Sequence, residues 1–583
     1  MEKYRNFEIA TYLWAYALEN ITDEEIQRGI DNFKKYTHLD KMYIENHRGK
    51  VDIPVERLRQ VKALCEKNGL KTAGGITSTQ FVNGIRKPSY FDTYCYTDPD
   101  HRASYLQVVR DLAVVFDEII LDDFFFTACR CEMCIKAKGS RSWKEYRLDL
   151  MEEFAQEICD EAHRINPGLK FVIKYPNWYE SFQEAGFNPA KQTKIFDGIY
   201  TGTETRSTFS PQHLQRYESY SIIRLFNHAA PGRNGGGWVD LGGSQLNQSI
   251  VNEQCALTLL GKTPELTLWN FQRYMDSDAL PAVGHALQKI DDILDIAGEP
   301  TGVRTWEPHN GDGEDQLYNY LGMCGLPIEP SPEFDGSLGT VFFTESTAED
   351  PASVEKLEDF VRHGGNAIVT IGYFRKMYDK GVKDLTSVRL TSRHVMGKTF
   401  MIDNANYMAK EVAEADKPIM FEIMSYKTNS TQSDINLMVE DDNFPIMTED
   451  NYGEGRFFVL NVPENFSDLY HLPKEVVRNI NKHLTMGQRL YVGTAHKYNL
   501  FAYENNVYVG YSYDEKATHV ELIVRGDCQG IKDLTTGKVY TERISRPTPM
   551  HRGDATTVIE EPAEYIFTVP ANPGKYTVYS IVD

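Results

Sequence analysis

No stretch of the 583 residues approaches the roughly 20 consecutive apolar residues that a membrane-spanning helix needs, so no membrane partner is expected. The opening Met1-Glu-Lys-Tyr-Arg-Asn-Phe has no apolar core of the secretory-signal kind, and a cytoplasmic location is the expectation. Basic side chains are in deficit. With 62 Lys and Arg against 84 Asp and Glu, the net charge is -22, and a surface of that sign repels nucleic-acid phosphates. No glycine-rich nucleotide fingerprint opens a helix, since Gly364-Gly365 reads as a helix stop, and no organic cofactor is expected. There is no internal repeat and no low-complexity tract. What is present is a folded-protein composition, 41% hydrophobic and 25% charged, which excludes disorder. Its 34 tyrosines suit a protein that presents flat faces to sugars, although core packing can absorb many of them.

From residue 7 to about 298, short apolar β-type runs alternate with helix-period segments, the pattern of repeated βα units around a parallel sheet. An eight-stranded (β/α)8 TIM barrel fits the length. Strands are expected over Glu8–Trp14, Lys41–Glu45, Lys71–Ile76, Glu118–Asp123, Lys170–Tyr175, Gly198–Thr203, Ser221–Asn227 with a long following loop to Trp238, and Leu266–Phe271. Thr22-Asp-Glu-Glu25 is a capping box, and Leu58, Val61, Leu64 and Cys65 share a helix face that stops at Gly69. After residue 299 the texture becomes that of a smaller Rossmann-like α/β domain, to about 488. Alternating runs then suggest a C-terminal antiparallel β-sandwich over 489–583.

Cys129, Cys131 and Cys134 form a Cys-x-Cys-x-x-Cys run, and with Cys95 they have the makings of a tetrahedral, structural zinc site. Three thiols within six residues of a polar loop are an oxidation liability unless something holds them. Cys65, Cys159, Cys255, Cys324 and Cys528 stand singly and read as ordinary thiols.

In a βα-barrel the catalytic groups lie at the carboxyl ends of the strands. Those ends carry Trp14 and Tyr16, then Glu45 and His47, Asp122 and Asp123, Tyr175 and Trp178, Glu204 and Arg206, Asn227, His228, Trp238 and Asp240, and finally Trp269 and Asn270. A single tryptophan is usually core. Four of six at one rim, beside acids, is what stacking on a pyranose needs. Glycoside hydrolysis needs one carboxylic acid to protonate the departing oxygen and one carboxylate opposite it. Because neighbouring strand residues point to opposite faces, only one of Asp122 and Asp123 is expected in the mouth, and Asp123 is nearer the strand end. Its partner is Glu204 or Asp240, with Glu204 slightly favoured because Arg206 and the nearby threonines can orient it. Glu45, His47, Asn227, His228 and Asn270 are candidate hydroxyl binders.

The order of barrel, α/β domain with Leu357-Glu-Asp-Phe-Val-Arg-His-Gly-Gly-Asn-Ala-Ile-Val-Thr370, and small β domain resembles glycoside hydrolase family 42, the bacterial β-galactosidases. That family has a Cys-x-Cys-x-x-Cys run after strand four and a further cysteine before the preceding helix, matching Cys129, Cys131, Cys134 and Cys95. The resemblance implies a homotrimer assembled through the α/β domain, and retaining, exo-acting hydrolysis of a galactoside or related hexoside. The catalytic positions depart from it. An Asn-Glu pair and a strand-seven Glu in the family become Asp122-Asp123 and Asp240 here. An aspartate on strand four with an acid on strand six is also the arrangement of α-galactosidase-type barrels, in which Glu204 would be the proton donor. Two other classes compete: a non-catalytic carbohydrate-binding or assembly protein, and a sugar isomerase or lyase, for which Gly235-Gly-Gly237 is the one phosphate-loop hint.

Overall fold

The computed structural model describes residues 2–80, 92–207, 210, 213–242, 247–403, 410–494, 497–546 and 563–583. The chain divides into two compact units, Met1–Asp295 and Ile296–Asp583. The first is a closed parallel barrel of eight strands: β1 Glu8–Leu13, β2 Lys41–Gly49, β3 Lys71–Gln80, β4 Glu118–Leu121, β5 Lys170–Tyr175, β6 Gly198–Gly202, β7 Asn234–Val239 and β8 Glu265–Leu268. Closure comes from β1 pairing with both β2 and β8. The Thr22 capping box forms, with Glu25 N donating to Thr22 Oγ1 at 3.2 Å and Thr22 N to the Glu25 carboxylate at 2.9 Å. The helix Val55–Lys67 buries Leu58, Val61 and Cys65.

The seventh strand is not where the apolar run suggests. Ser221–Asn227 lies within a helix, Glu218–Ala229, in which every residue from Glu218 to Phe226 is buried. Its polar residues Glu218, Ser221 and Arg224 recur at helical spacing but are themselves buried, and the apolar pairs Ile222-Ile223 and Leu225-Phe226 mimic an interior strand. The true β7 is Asn234-Gly-Gly-Gly-Trp-Val, whose glycines weaken any strand signal. The packing accounts for them. The barrel interior is filled by Tyr12, Tyr43, Tyr200 and Trp238, with Ala10, Ala73, Ile120 and Val172, and with Trp14 and Trp269 packed against them. A Cβ on Gly236 would sit 2.3 Å from the Tyr200 ring. Gly236 is therefore steric relief for the Tyr200 ring and Gly237 for Thr258, whose methyl a Cβ would meet at 2.2 Å, so these glycines serve barrel packing. Gly236→Ala is expected to cost about 1–3 kcal/mol by overpacking, measured as a shift in the urea midpoint.

Two buried polar layers bracket that aromatic belt. At the strand starts, Lys41 Nζ lies 2.7 Å from Glu118 and 3.3 Å from Glu265, and Tyr43 OH donates to Glu265 at 2.7 Å. The other layer, at the carboxyl ends, is the candidate site.

The second unit holds a nine-stranded sheet. Its parallel part is Ile328–Ser331, Val303–Trp306, Thr340–Phe343, Asn366–Thr370 and Gly455–Leu460. It continues antiparallel through Asp442–Tyr452, Gln432–Val439, Val388–Asp403 and Lys410–Tyr426. The helix Ser353–Arg362 ends before Gly364-Gly365, whose N–H groups bond back to Val361 O and Phe360 O. Two small sheets follow, with the antiparallel strands Tyr498–Tyr503, Val507–Ser512, Thr518–Arg525, Glu564–Ala571 and Tyr576–Val582 around a core that includes Leu500, Leu522, Phe567 and Ile581.

Candidate active site

The regular ladder of β4 ends at Leu121, so Asp122 and Asp123 are freed from strand alternation. Both reach the same cation. Lys174 Nζ, on β5, lies 3.4 Å from Asp122 Oδ1 and 3.2 Å from Asp123 Oδ2. Both carboxylates thus turn to one side of the strand, Asp122 the more buried of the two. The same nitrogen is 3.2 Å from Glu204 Oε1, just past the end of β6, and 4.4 Å above the Trp238 ring. The nearest Asp123 and Glu204 oxygens can therefore be no farther apart than twice 3.2 Å. The Asn177 side-chain amide donates to the Glu204 carbonyl. Gly202 makes room for the side chain, because a Cβ there would meet Glu204 Oε2 at 2.7 Å.

Asp122 is the pivot between two cations. Arg48, at the end of β2, donates to Asp122 Oδ2 at 2.9 Å and to both oxygens of Glu45. Glu45 also accepts from Tyr12 OH at 2.9 Å, Thr77 Oγ1 at 2.5 Å and Ala15 N at 2.6 Å. Its oxygens are thus fully engaged in holding Arg48, whose guanidinium lies 5.0 Å over the Trp269 ring.

This wiring splits the two aspartates. Burial pushes the Asp122 carboxyl upward, but Lys174, Arg48 and the Asp123 N–H outweigh it and bring it down to about 2. For Asp123, burial dominates; Lys174 opposes it, and the charges of Asp122 and Glu204 add to it, so the carboxyl is pushed up to about 7. Burial alone would discharge Lys174, yet its three carboxylates hold the ammonium charged, above the ordinary lysine value. Two adjacent acids thus titrate far apart, the electrostatic arrangement of a proton donor beside a permanent anion. Asp123 retains 24% side-chain exposure, whereas Glu204 retains 2%.

Asp240 follows β7 and belongs to a neighbouring group. Its Oδ2 is 3.3 Å from Arg206 Nη2, its Oδ1 is 3.8 Å from Arg273 Nη1, and Oδ1 also accepts from Gly242 N at 2.8 Å. Burial raises its pKa, with Arg206 opposing. Arg206 sits at φ 58°, a left-handed backbone uncommon for a residue with a side chain. A cleft of about 430 Å³ opens here, lined by Trp14, Asp240, Gly242, Trp269, Asn270, Gln272 and Arg273.

The other expected rim residues divide between the cleft and the packing around the barrel. Asn227 and His228 are near the end of the buried helix; Asn227 accepts from Asn234 Nδ2, at the start of β7, and so sits at the strand-start end of the barrel, away from the cleft. Tyr175 is buried outside the strand ring, stacked on Phe226 at 4.8 Å. Trp178 packs edge-on against Phe126, Phe182 and Phe187. His47 bonds Asp52 and the Thr79 carbonyl, both at 2.6 Å, and braces the end of its strand. Trp238 is 1% exposed and is a core filler. Tyr16 is half-exposed and edge-on to Trp14, and Asn270 caps Phe271–Tyr274. Lys174, Arg48, Thr77 and Gln272 were not anticipated. Lys174 did leave a sequence signal, a lysine inside the apolar strand Phe-Val-Ile-Lys-Tyr, where an unpaired charge is not tolerated.

The four expected thiols come together. Cys95 Sγ is 3.7 Å from Cys131 Sγ and 3.5 Å from Cys134 Sγ, and one sulfur from each of Cys95, Cys129, Cys131 and Cys134 lies within 4.8 Å of the others. Four thiolates about 2.3 Å from a tetrahedral zinc stand about 3.8 Å apart, so the donor set fits. The cluster links the chain after β3 to the chain after β4, six residues beyond Asp123. The other five cysteines are buried singly.

Residues 1–286 match the family model of a probable glycosyl hydrolase catalytic domain, and residues 489–581 that of a probable glycosyl hydrolase C-terminal domain. Residues 298–465 match the second domain of the uncharacterized protein SSO3021. That protein, from Saccharolobus solfataricus, is 26% identical over 412 residues, covering 64% of this chain and 68% of its own. Among solved structures, a β-galactosidase from Bacillus circulans sp. alkalophilus aligns with TM-score 0.65 and 10% identity over 99% of both chains. Gan42B, a GH42 β-galactosidase, aligns with TM-score 0.64 and 10% identity, again over 99% of both. At such identity the likeness is one of fold, and it extends along the whole chain.

Proposed function

We propose that this chain, which has a glycoside hydrolase fold resembling that of family 42, is a retaining glycosidase with Asp123 as acid/base and Glu204 as nucleophile. The observation that carries the assignment is the single ammonium of Lys174 between them. It holds their nearest oxygens within twice 3.2 Å of each other, as two carboxyls acting on one glycosidic bond require, and the retaining outcome follows the resemblance. Protonated Asp123 donates to the departing oxygen as the Glu204 carboxylate bonds to the anomeric carbon and the glycosidic bond breaks. Water then loses a proton to the Asp123 carboxylate and attacks the same carbon, releasing Glu204. Lys174 faces the negative charge that appears on Asp123 in the first step. Asp240 is engaged with two arginines and borders the sugar-binding cleft. A cleft of about 430 Å³ is at the small end of ligand sites, roughly 300–1,000 Å³, which favours exo action on short saccharides. A galactoside or related hexoside fits the resemblance.

Nitrophenyl glycosides of both anomeric series test this against binding-only and lyase alternatives. Hydrolysis with retained configuration is expected. Because the donor must be protonated and its carboxyl is raised to about 7, kcat/KM should fall as pH rises through about 7, the macroscopic value belonging to the whole cluster. Activity on no glycoside, or full activity in Asp123→Asn, overturns the proposal.

We also assign the thiol cluster to one zinc per chain. Cys95, Cys129, Cys131 and Cys134 would hold it; fully ligated, it would brace the loop and leave no open position for water. Cys131→Ser should abolish the zinc stoichiometry measured by atomic emission and lower the melting midpoint by more than about 4 °C. The boundaries 1–298, 299–488 and 489–583, and a homotrimer, are further parts of the proposal; sedimentation equilibrium at three chain masses checks the latter.

A further inference from the structure

The cleft beside the proposed catalytic pair contains polar atoms that the folded chain leaves unanswered. Among the described residues, neither the oxygen nor the nitrogen of the buried Gln272 side-chain amide finds a hydrogen-bond partner, and nor does Arg206 Nε. Burying an amide or a guanidinium N–H without a partner is costly, and such atoms in a cleft are open to a ligand or to water. Gln272 lines the cleft directly. Arg206 packs against Gly242, one of the lining residues, where a Cβ would stand 3.4 Å from Arg206 Cδ and Nε.

The surroundings say what kind of group is missing. The indoles of Trp14 and Trp269 line it and supply apolar surface of the kind a sugar ring packs on. An amide with one free acceptor and one free donor end matches a hydroxyl beside a second acceptor. Two guanidiniums, Arg206 and Arg273, flank the one carboxylate of Asp240, which engages them at 3.3 and 3.8 Å. Such a pair can take a second carboxylate by charge-assisted bonds.

Resting on the glycosidase reading for its sugar, we propose that this cleft receives a hexuronic acid residue, its carboxylate held at Arg206 and Arg273 and an adjoining hydroxyl at Gln272. The enzyme would then act on uronic-acid-bearing glycosides, and Gln272 is a specificity residue outside the bond-breaking machinery.

Calorimetric titration of the wild-type chain with free glucuronate, galacturonate, glucose and galactose tests binding without requiring turnover. The uronates should bind at least about tenfold more tightly than their neutral counterparts at low salt, and the gap should shrink as salt rises. Gln272→Leu should weaken both classes, and Arg273→Met should narrow the gap between them, with unchanged melting midpoints as the fold control. Neutral sugars binding as well as uronates, no binding by either class, or a gap untouched by Arg273→Met overturns the inference. Uronate binding without hydrolysis of any hexuronoside would sink the glycosidase proposal and leave this one standing. Hydrolysis confined to neutral glycosides would do the reverse.

Discussion

Glu204→Gln is expected to lower kcat on aryl glycosides by on the order of 10⁴-fold or more, the scale seen when an enzyme loses its nucleophile. The amide is nearly isosteric and keeps its carbonyl near Lys174, so the fold should survive while the covalent step is lost. Azide separates the roles. In Glu204→Ala, entering the space the carboxylate filled, it should restore turnover and give the glycosyl azide of inverted configuration. In Asp123→Asn, azide should replace water in the second step and give the retained azide. Asp123→Asn should itself lose about 10²–10⁴-fold on poor leaving groups and far less on dinitrophenolate, which needs no proton. Azide rescue in Asp240→Asn, with Glu204→Gln still active, would transfer the nucleophile to Asp240.

Lys174→Met should cost about 3–5 kcal/mol of stability at pH 7.5. It strands the Asp122, Asp123 and Glu204 carboxyls around a vanished cation, and breaking a buried ion pair from one side has a cost of this size. Even in the wild type, Asp123 binds its proton more tightly when folded, at about 7 against an ordinary 3.8. It therefore subtracts stability as pH rises from about 4 to about 7. Without Lys174 the opposition to that upward shift disappears and the neighbouring carboxyls lose their charge partner. The deficit should be largest at alkaline pH and shrink as the pH falls and the cluster protonates. Urea unfolding across pH 5–9 reads this directly. A deficit under about 1 kcal/mol at pH 7.5, or one independent of pH, would mean that the cluster is open to solvent and that Asp123 is not tuned by it.

The barrel was legible because β1 to β6 and β8 carry short-range apolar runs, and helices such as Asp23–Tyr36 announce themselves by a capping box and an apolar face. The seventh repeat was not. Its helix is buried on all sides and its strand is stripped of side chains at Gly235, Gly236 and Gly237, so the two elements exchange their usual textures. The thiol cluster was also legible, since three ligands lie in one hexapeptide and metal chemistry constrains their spacing.

Strand order alone determined that acids and tryptophans would gather at one end of this barrel, because every βα unit delivers its strand end to the same rim. Which of them meet was decided only in three dimensions. Asp122 and Asp123 escaped alternation because the ladder stops at Leu121, and Lys174, an oddity within its own strand, became the common partner of acids 51 and 30 residues away. Coulombic coupling depends on distance through space and on the water excluded between groups, and neither is written in the order of residues along the chain.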